Sequence, residues 1–139
     1  MTDAEIRRIL QETRVIAVVG ISNKPERPSH GVAQFLQARG YRVIPVNPGL
    51  AGQELLGETV YPDLAAIPES IPVDMVDIFR APEAVPGIVA EALAHLPQLR
   101  TVWMQLGVIS PEGAAAAKAA GKAVVMDHCP KIEIPRLGL

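Results

Sequence analysis

The feature that most constrains this chain is an alternation. Five short apolar runs recur: RVIAVV (Arg14–Val19), YRVIPV (Tyr41–Val46), VDMVDIF (Val73–Phe79), TVWMQL (Thr101–Leu106) and AVVMD (Ala123–Asp127). Between them, apolar residues fall at helical spacing. The runs are short and β-branched, and the first is apolar at consecutive positions, so neither of its faces meets water. That is the pattern of parallel strands covered by helices on both sides.

Strands alternating with helices through short loops predict an α/β fold. The expected form is a doubly wound parallel sheet, Rossmann-like, in three α/β/α layers and a single domain over residues 1–139. Helix signals support it. Thr2 and Glu5 have capping-box spacing ahead of Ile6, Ile9 and Leu10. Val32, Phe35 and Leu36 precede Gly40, a C-terminal cap. Ile88, Val89, Ala92, Leu93 and Leu96 make one stripe. Ser110, Pro111 and Glu112 read as N-cap, first turn and dipole partner of a helix closed by Gly121. Pro45 puts the second strand near an edge or ends it early. The Gly- and Pro-rich stretch from Gly49 to Pro72 offers only a short strand near Thr59 to Tyr61.

Composition narrows the function. At 49% hydrophobic and 20% charged the chain can bury a core, and with aromatics at 4% that core is aliphatic. A net charge of -2 without a basic run argues against a nucleic-acid face. The one cysteine, Cys129, cannot form an internal disulfide, which fits a reducing compartment. The opening MTDAEIRRILQETR lacks an apolar signal core, and no stretch reaches the roughly 20 apolar residues of a membrane span. The expectation is a cytoplasmic protein with no membrane partner.

In open α/β sheets the ligand lies beyond the carboxyl ends of the strands. The first such end reads GISNKPERPSHG. Gly20 permits a tight turn, but Ser22 stands where a dinucleotide fold has its second glycine. Ser29 or His30 begins a helix whose free amides face an anion, and Lys24 and Arg27 add charge suited to phosphates. The same residues also suit an ordinary surface loop; position favours the phosphate. At the second end, Asn47 replaces the acid that grips ribose in NAD proteins, and no Asp or Glu occurs between Gly40 and Gly52. Asn47 and Pro48 otherwise read as a turn. At the third, Arg80 suits a phosphate and equally a pair with Glu83 or Asp77. At the fourth, Gln105 either meets ligand or caps a neighbouring loop.

At the fifth end, Asp127, His128 and Cys129 are adjacent and cannot all point one way. Cys129 reads as a buried structural residue rather than a nucleophile. Neither it nor the three histidines have metal-ligand spacing, so no metal is expected. GAAAAKAAGK imitates a phosphate loop but has the wrong glycine spacing and Ala123 in place of Ser or Thr; it reads as helix.

Taken together, VVGISNKPERPSHGVAQFLQARGYRVIPVNPG, VDIFRAPEAVPGIV, TVWMQLGV and AGKAVVMDHC resemble the small stand-alone CoA-binding proteins, which are similar to the CoA-binding domain of succinyl-CoA ligase alpha subunits. The resemblance spans nearly the whole chain and implies coenzyme A as ligand, with one CoA-binding domain at 1–139. It implies contacts from Gly20, Ile21, Ser22, Asn23 and Lys24, with Ser29 and His30 at the helix start. It further implies Val46, Asn47 and Pro48, then Phe79 and Arg80, then Met104, Gln105 and Leu106. Leu50 lies in the loop where the ligases typically offer a lysine, and His128 stands where the family often has arginine. The ligases also carry a second domain with a phosphorylated histidine, which these 139 residues do not contain. The expected function is a CoA or acyl-CoA binding module, a sensor or carrier without complete catalytic machinery and with no catalytic residue assigned. The competing readings are a small NAD(P)-linked oxidoreductase or a trans-acting subunit of an acyl-CoA ligase.

Overall fold

Val15–Val19 forms strand β1, buried along its whole length, and the other strands are arranged round it. The computed structural model describes residues 1–139. Helix α1 (Asp3–Glu12) precedes β1; α2 (Pro28–Ala38) and β2 (Arg42–Val46) follow it. A small hairpin of β3 (Glu54–Leu55) and β4 (Glu58–Thr59) comes next. Then β5 (Met75–Ile78), α3 (Val85–His95), β6 (Thr101–Met104), α4 (Pro111–Ala119), β7 (Ala123–Val125) and α5 (Pro130–Arg136) complete the chain.

The main sheet has the order β2-β1-β5-β6-β7 and is parallel throughout. Each strand is shorter than its apolar run. The ends of the runs turn away to form loops; at the last, Asp127 adopts φ 63 and closes β7 early. The side chains of β1 alternate between two cores. Val15, Ala17 and Val19 face α3 and α4, where Val85, Val89, Ala92, Ala114 and Ala117 meet them. Ile16 and Val18 face α1, α2 and α5, packing with Ile6, Leu10, Leu36 and Ile134. This gives the three-layer, doubly wound arrangement that the alternation predicts.

Local signals account for the element ends. Thr2 accepts from Glu5 N at 3.2 Å and caps α1; Ser110 accepts from Gly113 N at 3.1 Å and caps α4. The stripe assigned to α3 runs one residue past the helix, because Leu96 is its C-cap. β2 is an edge strand, the first of the two outcomes Pro45 allows. The Pro45 carbonyl accepts from Tyr61 N–H on the open side, so the missing N–H costs the ladder to β1 nothing. The strand expected near Thr59 to Tyr61 resolves into β4 and a single bridge from Tyr61 to Val46. α5 was not anticipated by the sequence.

The chain leaves β1 to one side for β2 and returns to the other for β5. The order in which strands are added reverses between β1 and β5, and the crevice at such a switch point is where this architecture holds ligands. No helix is long and apolar enough to cross a membrane.

Candidate functional site

Gly20 ends β1 at the switch point with φ 88. A Cβ there would lie 2.5 Å from the Phe79 carbonyl oxygen and 2.9 Å from Arg80 Cδ. The glycine therefore serves the chain itself: it lets the end of β5 close against the turn. Beyond it, the first loop is held by its own serines. Ser29 Oγ accepts from Ser22 N at 2.9 Å, and Ser22 Oγ accepts from Lys24 N at 3.1 Å. Asn47 clips this loop to the next one. Its Nδ2 donates to the Ile21 carbonyl at 2.8 Å, and its Oδ1 accepts from Gly49 N at 2.8 Å, capping the turn Pro48–Leu50. At the strand end where an NAD protein has an acid, this chain has an amide whose donor and acceptor are both engaged.

These residues frame a cleft in two halves. The polar half, a cavity of about 440 Å³, is walled by the first loop from Gly20 to Lys24, by Arg27 to Ser29, and by Asn47, Gly49 and Leu50. Helix α2 points its N-terminus into this half. Its N-cap is Arg27, Pro28 follows, and no acidic residue occupies its first turn. The Ser29 amide has no intrahelical partner, so partial positive charge is left exposed to an anion. Lys24 and Arg27 are exposed and join none of the molecule's ion pairs. Glu26 is the one acid of the loop, leaving it a net positive charge.

The apolar half, a cavity of about 500 Å³, shares Pro28 and Phe79 with the polar half. Val32, Leu106, Val108 and Cys129 line it, with Arg80 and Gln105 as its polar groups. A smaller side hollow of about 160 Å³ touches Gly20, Val46, Pro48 and Arg80 on the α3 side of the strand ends.

Most residues singled out in the sequence thus come together over the strand ends. His30 and Met104 line no cavity: Met104 is buried in the core beneath α3 and α4, and His30 is buried in α2 with Nδ1 lacking a partner. Ser29 and His30 do not open the helix, which starts at Pro28. The suggested pairing of Arg80 with Asp77 or Glu83 is not made. Arg80 is exposed and in no ion pair, whereas Asp77 is sealed in the sheet with neither carboxylate oxygen hydrogen-bonded. Burial, with no charged group to offset it, pushes the Asp77 carboxyl well above the ordinary carboxylate range. Arg27, Val32, Val108 and Cys129 also line the cleft. Cys129 was legible by the strand-end rule, and Arg27 by its charge. Val32 looks like any core position on a helix.

No hydroxyl or thiol of the cleft is hydrogen-bonded to a basic side chain, and no group of His, Cys, Asp and Glu is placed to hold a metal ion. A hollow of about 350 Å³ at the opposite edge of the sheet, beside α1, is lined by Arg8, Glu12 and Arg100. Arg100 is already paired there with Glu12 at 3.3 Å.

Fold and cleft together define an open, doubly wound α/β domain with its crevice at the switch point and a cation-flanked helix N-terminus in the crevice wall. The chain belongs to the CoA binding domain family, whose sequence model matches residues 14–135. It is 40% identical over 129 residues to the uncharacterized protein YneT of Bacillus subtilis (strain 168), covering 93% of this chain and 91% of that one. Among solved structures it is similar to cell-free ID.343 from Thermus thermophilus, at 42% identity and a TM-score of 0.90, with 99% of each chain covered. It is also similar to a hypothetical protein from Pyrococcus horikoshii OT3, at 35% identity and a TM-score of 0.91, over 100% of this chain and 94% of that one.

Proposed function

We propose that this protein binds coenzyme A or an acyl-CoA across the carboxyl ends of β1, β2, β5 and β6. It acts as a sensor or carrier module and catalyses no reaction by itself. The observation that carries this reading is the polar half of the cleft, where the N-terminus of α2, with no acid in its first turn, meets two unpaired cations, Lys24 and Arg27. Family membership supplies the ligand class. Ser22, Asn23 and Lys24 hold phosphate oxygens together with the free Ser29 amide of α2, and Phe79, Gln105 and Leu106 guide the pantetheine arm toward the apolar half. Asn47 acts through the loop it clips to Ile21 and Gly49, and an amide in place of the carboxylate that grips the ribose hydroxyls disfavours NAD.

A hydrogen bond to a charged group contributes roughly 1.5 to 3 kcal/mol, or about 10-fold to 100-fold in affinity, whereas an exposed lysine without a ligand contributes about 0 to 1 kcal/mol. Lys24→Ala is therefore expected to weaken CoA binding at least about tenfold and to leave the thermal transition unchanged. It should matter less for pantetheine, which has no phosphate. Calorimetric titration of both ligands checks this. If Lys24→Ala and Arg27→Ala each bind CoA like the parent, the phosphates do not lie in this loop.

A further inference from the structure

The apolar half of the cleft is not accounted for by phosphate binding. It is larger than the polar half, about 500 Å³ against about 440 Å³. Its walls are mainly Val32, Phe79, Leu106, Val108 and Cys129. Two observations point to an occupant. Gln105 is 6% exposed, lines this cavity, and its Oε1 has no hydrogen-bond partner. A buried acceptor left open is costly unless a donor reaches it. Leu106 stands at the mouth with 54% of its surface exposed, one of few large apolar side chains left so open.

We propose that this half is an acyl subsite: it takes the short, uncharged acyl group of a thioester, such as a butyryl or branched four-carbon chain. The inference rests on the CoA reading, because continuity of the two halves through Pro28 and Phe79 is what carries a pantetheine arm from one to the other. An amide N–H of that arm satisfies Gln105 Oε1, and the acyl chain then lies against Val32, Val108 and the Cys129 side chain and covers Leu106. The ligand preferred over free CoA is an aliphatic acyl-CoA, which makes the protein a sensor of acylated rather than free coenzyme. Arg80 is the one charge on this cavity; it lies at the exposed rim, where the start of the arm passes.

The test is titration of the full chain with CoA, acetyl-CoA, butyryl-CoA and succinyl-CoA in one buffer. Each buried methylene-sized group is expected to tighten binding about fourfold. Acetyl-CoA should fall between CoA and butyryl-CoA, with butyryl-CoA tighter than CoA by about tenfold or more. Leu106→Asp, at an exposed position that tolerates the change, should pull the butyryl-to-CoA ratio toward one. Equal affinity for CoA and butyryl-CoA overturns the acyl subsite and leaves the CoA reading standing. An unchanged ratio in Leu106→Asp also overturns it. Succinyl-CoA binding more tightly than butyryl-CoA overturns the apolar assignment and makes Arg80 the determinant. Binding of none of the four overturns both readings.

Discussion

Gly20→Ala is expected to destabilise the protein by roughly 2 to 5 kcal/mol, from two costs of similar size. A residue with a Cβ in the left-handed region costs about 1 to 2 kcal/mol, and Gly20 sits at φ 88. Forcing extra volume into a packed region costs about 1 to 3 kcal/mol more, and here the new atom would lie 2.5 Å from the Phe79 carbonyl oxygen. That neighbour is backbone at the end of a buried parallel strand, so it cannot swing aside as a side chain would. The loss appears as a lower denaturation midpoint in urea. CoA binding should fall further than the stability change alone accounts for, because the turn also sets the direction of the loop from Ser22 to Ser29. By contrast, Gly40→Ala meets no atom within 4 Å and should show the strain cost alone. Equal losses for the two variants would mean that the approach of β5 to Gly20 is not what demands the glycine.

Asp77→Asn is expected to stabilise the protein at neutral pH, with a gain that disappears in acid. In the unfolded chain the carboxyl ionises at its ordinary value; in the folded protein burial keeps it protonated to well above that value. Between the two midpoints the folded state holds one more proton than the unfolded state. Stability therefore falls as pH rises, by about 1.4 kcal/mol per pH unit from this one group. Below the ordinary carboxylate pKa both states are protonated and the penalty is gone. Asparagine has the same shape and no charge to suppress, so the variant lacks this slope. Its advantage over the parent should be smallest near pH 4 and grow toward neutrality, as read by urea unfolding at a series of pH values. Parallel stability curves for the two proteins would contradict the account of Asp77 as a neutral, buried acid.

Asp77 also marks where reading the sequence reaches its limit. In VDMVDIF two aspartates interrupt an apolar run, and spacing alone does not separate their roles. Asp74 sits at the amino end of β5, where its carboxylate accepts from Arg14 N and Val15 N at 2.9 to 3.2 Å. Asp77, three residues on, lies between Val18 and Trp103 in the middle of the sheet. The difference is set by the neighbouring strands, which a single run does not encode.

The strands and their parallel, helix-covered arrangement were legible because both-face burial and helical spacing are local signals; Pro45 narrowed β2 to an edge or an early end, and the strand order itself is set only by the packing of the whole sheet. α5 was not, since Pro130 and Pro135 bracket a helix of only 7 residues. The β3–β4 hairpin was hidden for a similar reason: Leu56 takes φ 53 in its turn, at a position where asparagine or glycine would have announced it. In the site, the missing acid at Asn47 and the cations of the first loop were visible residue by residue. The apolar half was not visible, because Val32, Val108 and Cys129 come from three separate segments and meet only when α2, the loop after β6 and the start of α5 converge on the sheet.

The most direct measurement of the central claim is a pair of calorimetric titrations of the purified protein, one with CoA and one with NAD, under identical conditions. CoA should give a saturable heat and NAD none over the same concentration range, since the ribose clamp is replaced by an Asn47 side chain already bound to Ile21 and Gly49. Tighter binding of NAD than of CoA would contradict the account.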